Sequence, residues 1–257
     1  MSASTEGTAA PPGRICVMVP TYNERDNLEG LLRRLRGAVP AVDVLVVDDC
    51  SPDGTGDLAD ALARRDRAVH VLHRPGKEGL GRAYMAALTW VRQRGYTFAV
   101  QIDADGSHQP EALPRLLTAA RHVDVVIGSR WVPGGAVRHW PWHRTVLSRG
   151  GNLFVRVALG VPVRDATAGF RVYRLEALDR VGLDDVASHG YCFQVDLTLR
   201  AFDRGLRMVE VPIEFVERER GTSKMGTSIV LEALVRVTAW GVTRRTRQVV
   251  SILKGAR

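Results

Sequence analysis

An α/β fold, a mostly parallel sheet flanked by helices, follows from two features of this chain. Short apolar runs alternate with amphipathic helical patterns from residue 15 onward, and the turns that end those runs are rich in carboxylates. Ligands of open α/β sheets collect at the carboxyl ends of the strands, so those turns are also where a site is expected. With 257 residues the chain can bury one large core without disulfides, and one body over residues 14–225 is predicted.

Taken in order, Ile15–Val19 reads as a strand and Glu24–Arg36, with its leucines at helical spacing, as a helix. Val42–Val47 is the next strand, Thr55–Arg65 a helix, Ala68–Leu72 a strand and Gly79–Arg94 a helix. Thr97–Ile102 is then a strand, Glu111–Ala120 a helix and Val123–Ile127 a strand. From Gly128 to His143 the pattern loosens into Gly, Pro, Trp and His, which predicts a long functional loop. Helices at Thr145–Leu159 and Phe193–Arg204, an extended piece at Phe170–Tyr173 and a strand at Arg207–Val211 complete the body.

Gln101 to Pro110 carries the sharpest chemical signal, because an apolar run empties into Asp103 and Asp105, one residue apart. Two hard oxygen ligands suit Mg²⁺ or Mn²⁺, ions that keep waters and bridge substrate phosphates. Taken alone, the same residues could simply cap a strand before the helix that Pro110 opens. Pro20-Thr21-Tyr22-Asn23-Glu24 follows the first strand: Tyr22 could stack on a flat ring and Glu24 could accept hydrogen bonds from a base or sugar, while Asn23 could equally be an N-cap. Asp48 and Asp49 end the second strand, where a Rossmann-like unit holds a ribose or base. No glycine-rich phosphate loop precedes them, which disfavours a nicotinamide cofactor and a P-loop and leaves a metal to hold nucleotide phosphates.

A net charge of +8 implies an acidic partner: nucleic acid, an anionic membrane face or a phosphorylated substrate. Cys16, Cys50 and Cys192 are odd in number and scattered, as expected of reduced thiols. Residues 1–13 are small and polar, without the basic start and apolar core of a secretory signal, and read as a disordered leader, so export is not expected. Residues 226–257 read as a basic amphipathic tail. Val230, Leu231, Leu234, Val235, Val237 and Trp240 make an apolar face, opposite Glu232 and Arg236. The tail is too charged to span a bilayer; it either lies in a membrane interface or packs on the domain.

The ordered series Pro20–Glu24, Asp48-Asp49 with Ser51–Thr55, Gly79-Leu80-Gly81 and Asp103-Ala104-Asp105 resembles the inverting glycosyltransferases of family 2, which have the GT-A fold. More narrowly, the chain resembles polyprenol (dolichol) phosphate mannose synthases. The residues behind that likeness are Gly128–Trp131 with Gly134-Gly135, Trp142–Asn152, Asp165–Arg171, Gly190–Gln194 and Arg218–Lys224. The resemblance spans about residues 15–226. It implies GDP-mannose as donor, a polyprenyl phosphate lipid as acceptor, and a β-mannosyl phosphate lipid as product, made at the cytoplasmic face of a membrane by a peripheral enzyme. It also implies roles: Pro20, Tyr22, Glu24, Val47 and Asp49 on the guanosine; Asp103, Ala104 and Asp105 on the metal and diphosphate; Arg130, Arg218 and Lys224 reaching phosphates or mannose from mobile loops; and Arg144 with Ser148 on the acceptor phosphate. Ser107 stands where some relatives have Gln, and Asp196 where Glu is frequent.

The chemistry needs no strong general base, because a phosphate monoester, with a second pKa of about 6, is already mostly a dianionic nucleophile at neutral pH. No Ser-His-Asp or Cys-His set is visible, and the seven histidines lack ligand spacing, most being expected on the surface or in loops. Two other readings stand beside this one. One is a glucosyltransferase of the same fold using UDP-glucose. The other is a non-catalytic protein binding nucleic acid or an anionic membrane, which leaves the acidic pair without a purpose. Under the leading reading nucleic acid is not a partner, and a separate membrane-anchoring protein is plausible.

Overall fold

The computed structural model describes residues 13–183, 186, 192–218 and 233–246. Within them the chain runs β1 (Ile15–Thr21), α1 (Arg25–Ala38), β2 (Asp43–Asp48), α2 (Thr55–Arg65), β3 (Val69–His73), α3 (Leu80–Gln93) and β4 (Phe98–Gln101). A 3₁₀ turn (Pro110–Ala112) leads into α4 (Leu113–Ala119), β5 (Val125–Ser129), β6 (Ala136–Arg138), α5 (Trp142–Leu159), β7 (Arg171–Arg174) and α6 (Leu175–Asp179). The last elements are α7 (Cys192–Asp203), β8 (Met208–Pro212), β9 (Glu214–Val216) and a helix over residues 233–246, α8.

Seven strands form one sheet in the order β3-β2-β1-β4-β7-β5-β8, while β6 and β9 pair in a separate two-stranded sheet. The expected parallel sheet is present, with one exception: β7 runs antiparallel to both β4 and β5. Chain direction reverses its lateral progress at β1, which pairs in parallel with β2 on one side and β4 on the other. A crevice therefore opens beyond the carboxyl ends of β1 and β4, as such a switch point requires.

Alternation along β1 assigns its side chains to two cores. Cys16 and Met18 face a layer that includes Tyr84, Ala87 and Leu88 of α3, Val155 and Leu159 of α5, and Phe193 of α7. Val17 and Val19 face Leu28, Leu31, Leu32 and Leu35 of α1, with Leu113 and Leu116 of α4 behind. Each buried leucine contributes about 1.5–3 kcal/mol through removal of its side chain from water. Val237 of α8 is buried in the first of these cores, and a Cβ on Gly241 would meet the Ala158 carbonyl oxygen at 2.8 Å, so α8 lies close against α5. One face of the helix expected at an interface is therefore packed on the body, whereas Val235 and Val242 point outward. Residues 1–12, Gly190, Tyr191, Lys224, Val230, Leu231 and Glu232, all singled out in the sequence, lie outside the described residues.

The stretch expected to be one long loop, Gly128–His143, is more ordered than its composition suggests. It contains β6, and α5 begins at Trp142. The reason is tertiary: β9 lies beside β6 and supplies its only ladder among the described residues. None of the three cysteines forms a disulfide, and Cys16 and Cys192 are buried.

Candidate active site

Asp103 and Asp105 emerge directly beyond β4, where the chain leaves the sheet through Ile102. The turn needs Gly106, whose φ of +76° lies in the left-handed region. Its return is held by β9, because Val216 donates its backbone N–H to the Ser107 carbonyl at 2.9 Å and His108 bridges Phe215. Within the turn, Ser107 N–H donates to Asp105 Oδ1 at 3.0 Å. From below, Tyr84 of α3 donates its hydroxyl proton to Asp103 Oδ1 at 3.3 Å. Burial, reinforced by that carboxylate, pushes the Tyr84 pKa far up, so the phenol stays a donor.

Burial also pushes the Asp103 carboxyl above its ordinary range, and Asp105 pushes the same way. Arg218 offsets this charge, standing 3.1 Å from Asp105 Oδ2. His108 corrects the expectation for histidines: it is buried, edge-on to Phe170 and Phe215. Burial outweighs Asp103 and Asp105 and holds its imidazole below its ordinary range, hence neutral at pH 7. Its Nδ1 is 3.7 Å from Asp103 Oδ2, too long for a hydrogen bond.

Arg130 does not sit on a mobile loop, contrary to expectation. It follows β5 directly and is nine-tenths buried, because Asp165 receives its Nε and Nη2 at 2.7 Å each and its backbone N–H at 2.9 Å. Thr167 and Asn152 close the same network. Burial would raise the Asp165 carboxyl, but Arg130 prevails and holds it below the usual carboxylate range. Arg144 is ion-paired with Glu217 and lies 4.2 Å over the Trp140 ring. One turn along α5, Ser148 lines the same space.

These groups surround one cavity of about 590 Å³. Asp103, Asp105, Arg130, Arg144 and Arg218 form its charged end, and Leu147, Phe154, Val155, Val195, Leu234 and Val237 its apolar walls. The remaining predicted residues are not among its walls. Pro20 lies in β1 and Tyr22 and Glu24 just beyond it, while Val47 is a fully buried β2 residue whose carbonyl accepts the Thr21 hydroxyl proton. Asp49 pairs with Arg74, yet burial still pushes its carboxyl upward. Lys77 lies over one face of the Tyr22 ring at 4.1 Å. Asn23 is not the N-cap of α1; Glu24 holds that place. Tyr84, His108, Trp140, Asp165, Phe215 and Glu217 received no role in the sequence reading. Of these, only His108 and Asp165 lay in stretches with a motif signal, Gln101–Pro110 and Asp165–Arg171.

Among the described residues, no three or more His, Cys, Asp or Glu side chains gather to enclose a metal ion. The acidic pair nevertheless suits a hard divalent cation that draws its other ligands from water and phosphate, since both carboxylates flank one open, charged cavity end. No helix among the described residues is long and apolar enough to cross a membrane.

The model of Glycosyl transferase family 2 matches residues 16–182. An undecaprenyl-phosphate mannosyltransferase of Micrococcus luteus is 56% identical over 232 residues, covering 90% of this chain and 96% of that protein. A polyprenol monophosphomannose synthase of Mycolicibacterium smegmatis is 54% identical over 240 residues, 93% of this chain and 91% of the relative. Among solved structures, glucosyl-3-phosphoglycerate synthase of Mycobacterium tuberculosis, in complex with Mn²⁺, UDP and glucosyl-3-phosphoglycerate, superposes with a TM-score of 0.65 at 21% identity, covering 91% of this chain and 80% of that one. A mannosyltransferase of Pyrobaculum calidifontis in complex with GDP-Man and Mn²⁺ gives 0.57 at 20% identity, covering 93% and 66%. Both likenesses are of fold.

Proposed function

The chain belongs to glycosyl transferase family 2, and from that premise we propose that it transfers mannose from GDP-mannose to a polyprenyl phosphate, releasing GDP. The observation that carries the reading is one cavity lined both by carboxylates and guanidinium groups and by a large set of apolar side chains. An amphiphile with a phosphate head uses both kinds of lining; a sugar or nucleic acid acceptor would leave the apolar lining unused.

In this proposal Asp103 and Asp105 would hold Mg²⁺ or Mn²⁺, which when bound would supply positive charge for the diphosphate leaving group. Arg218, beside Asp105, adds positive charge at the same place. The donor's base lies over the ends of β1 and β2, against Tyr22, Glu24 and Asp49, with Pro20 and Val47 in the strands beneath. Arg144 and Ser148 receive the acceptor phosphate, whose charge competes with Glu217 for the Arg144 guanidinium. A phosphate oxygen then bonds the anomeric carbon as the bond from that carbon to GDP breaks on the opposite face, so configuration inverts. Lys224 is assigned to the diphosphate on the resemblance alone. The enzyme acts at the cytoplasmic surface of the membrane that holds its lipid, and a separate membrane protein could supply an anchor.

Incubation with Mg²⁺ or Mn²⁺, a polyprenyl phosphate and labelled GDP-mannose or UDP-glucose tests the reading. Label is expected in the organic-extractable lipid from GDP-mannose only; transfer from UDP-glucose alone would move the protein to a glucosyltransferase.

Gly169 gives a second test, since a Cβ there would sit 3.0 Å from Asp103 Oδ2. Gly169→Ala is expected to displace that carboxylate and lower turnover roughly 10–100-fold, as changes to groups that orient metal ligands do. Wild-type turnover in a folded variant would show that the Asp103 position is not critical.

A further inference from the structure

The flank of α5 turned away from the catalytic cavity holds a second pocket, of about 310 Å³, walled by Arg149, Arg156 and Arg164 together with Trp131, Asn152 and Leu153. We propose that this pocket binds the phosphate headgroup of an anionic phospholipid and seats α5 on the bilayer surface. The inference goes beyond the transferase reading and does not depend on which sugar is transferred.

Three observations support it. First, the pocket is positive and uncompensated: none of the three arginines is ion-paired with a carboxylate among the described residues. The neighbouring Glu210 carboxylate accepts hydrogen bonds from the backbone N–H groups of Arg164 and Asp165. Arg149 is held at the wall by stacking 4.9 Å over the Trp131 ring. Several guanidinium groups around one space are suited to phosphate, which each can grip through paired N–H donors.

Second, the arginines are interleaved with apolar side chains that a water-facing helix would not carry. Trp142, Leu153 and Val157 are 77%, 54% and 61% exposed. With Arg149 and Arg156 they fall on one broad face at helical spacing. Tryptophan and aliphatic residues alternating with arginine suit a headgroup boundary, where the apolar groups enter the acyl region and the cations meet phosphates. A nucleic acid offers phosphates but no apolar phase for these side chains, which favours lipid.

Third, the opposite flank of α5 lines the catalytic cavity with Leu147, Ser148 and Phe154. The headgroup pocket and the catalytic cavity therefore use different flanks of the same helix, so occupation of one leaves the lining of the other in place. α8 extends the same surface, since Arg245 donates to the Val157 carbonyl of α5 and Val242 is exposed.

The test uses the full chain and co-sedimentation with vesicles of phosphatidylcholine, pure or as an equimolar mixture with phosphatidylglycerol. The variant Arg149→Gln/Arg156→Gln/Arg164→Gln is compared with Arg33→Gln/Arg64→Gln/Arg65→Gln, which removes the same charge from α1 and α2. The first variant is expected to lose partition onto the mixed vesicles by roughly a hundredfold, from the usual contribution of a basic residue at an anionic surface, and the second far less. Transfer to a short-chain polyprenyl phosphate in detergent should be unchanged in both, which shows that they are folded. Equal losses in the two variants would mean that net charge alone drives binding and would overturn the proposal. Inorganic phosphate at matched ionic strength separates the sources of the anion. Failure to displace wild-type protein from vesicles supports a lipid headgroup. Calorimetric phosphate binding that the first variant loses while keeping its vesicle partition would make this a free-anion site and refute the proposal.

Discussion

Asp105→Ala is expected to reduce sugar transfer by roughly 10²–10³-fold or more, the range seen when one electrostatic stabiliser of developing charge is removed. Its melting temperature should change by no more than a few degrees, since the side chain contributes to a charged cavity wall and not to either core. Removing it leaves Arg218 without its 3.1 Å partner but also relieves the carboxylate repulsion that raises Asp103. Measured together, turnover and thermal unfolding separate a lost site from a lost fold. Undiminished turnover in the purified variant would remove the metal assignment and with it the central step proposed for this protein.

Asp165→Ala should act in the opposite manner, chiefly on stability. It strips a fully buried carboxylate from a nine-tenths buried guanidinium, and breaking such a pair costs about 3–5 kcal/mol because the remaining charge has no water to turn to. For a chain of this length that lowers the melting temperature by about 10 °C or more. Replacing both partners with apolar residues, Arg130→Met with Asp165→Leu, is expected to restore much of the stability but not the transfer, because Arg130 would no longer stand at the charged end of the cavity. A pH series gives an independent check. Asp165 is held below the ordinary carboxylate range, so its contribution is complete above about pH 4 and is lost as pH falls through the lowered folded value. The acid limb of unfolding should therefore be steeper in wild type than in Asp165→Ala.

The strands β1, β2 and β4 were legible because central strands buried on both faces appear as apolar runs, and Asp103 and Asp105 were legible because they follow one of them. The direction of β7 was not legible, since a four-residue strand has no periodicity that distinguishes parallel from antiparallel pairing. Nor were β6 and β9, three residues each, which are stable only against one another. His108 looked like a loop residue in Ser107-His108-Gln109 and is buried only because Phe215, more than a hundred positions later, folds over it. Tyr84 looked like one more core aromatic of a helix, and only the approach of α3 to β4 shows its hydroxyl reaching Asp103.

What the sequence by itself determined is therefore whatever local physics encodes: the alternation that makes the α/β sheet, the carboxylates at its strand ends and the ordered motifs of family 2. What only the tertiary structure decided is which charges meet. Asp165 locks Arg130, Glu217 holds Arg144, Arg218 covers Asp105, and Arg149 and Arg156 of α5 meet no carboxylate among the described residues. Such pairings join residues tens to more than a hundred positions apart, and the energy of a charge depends on its distance from others and on the water excluded around it, neither of which a linear sequence contains.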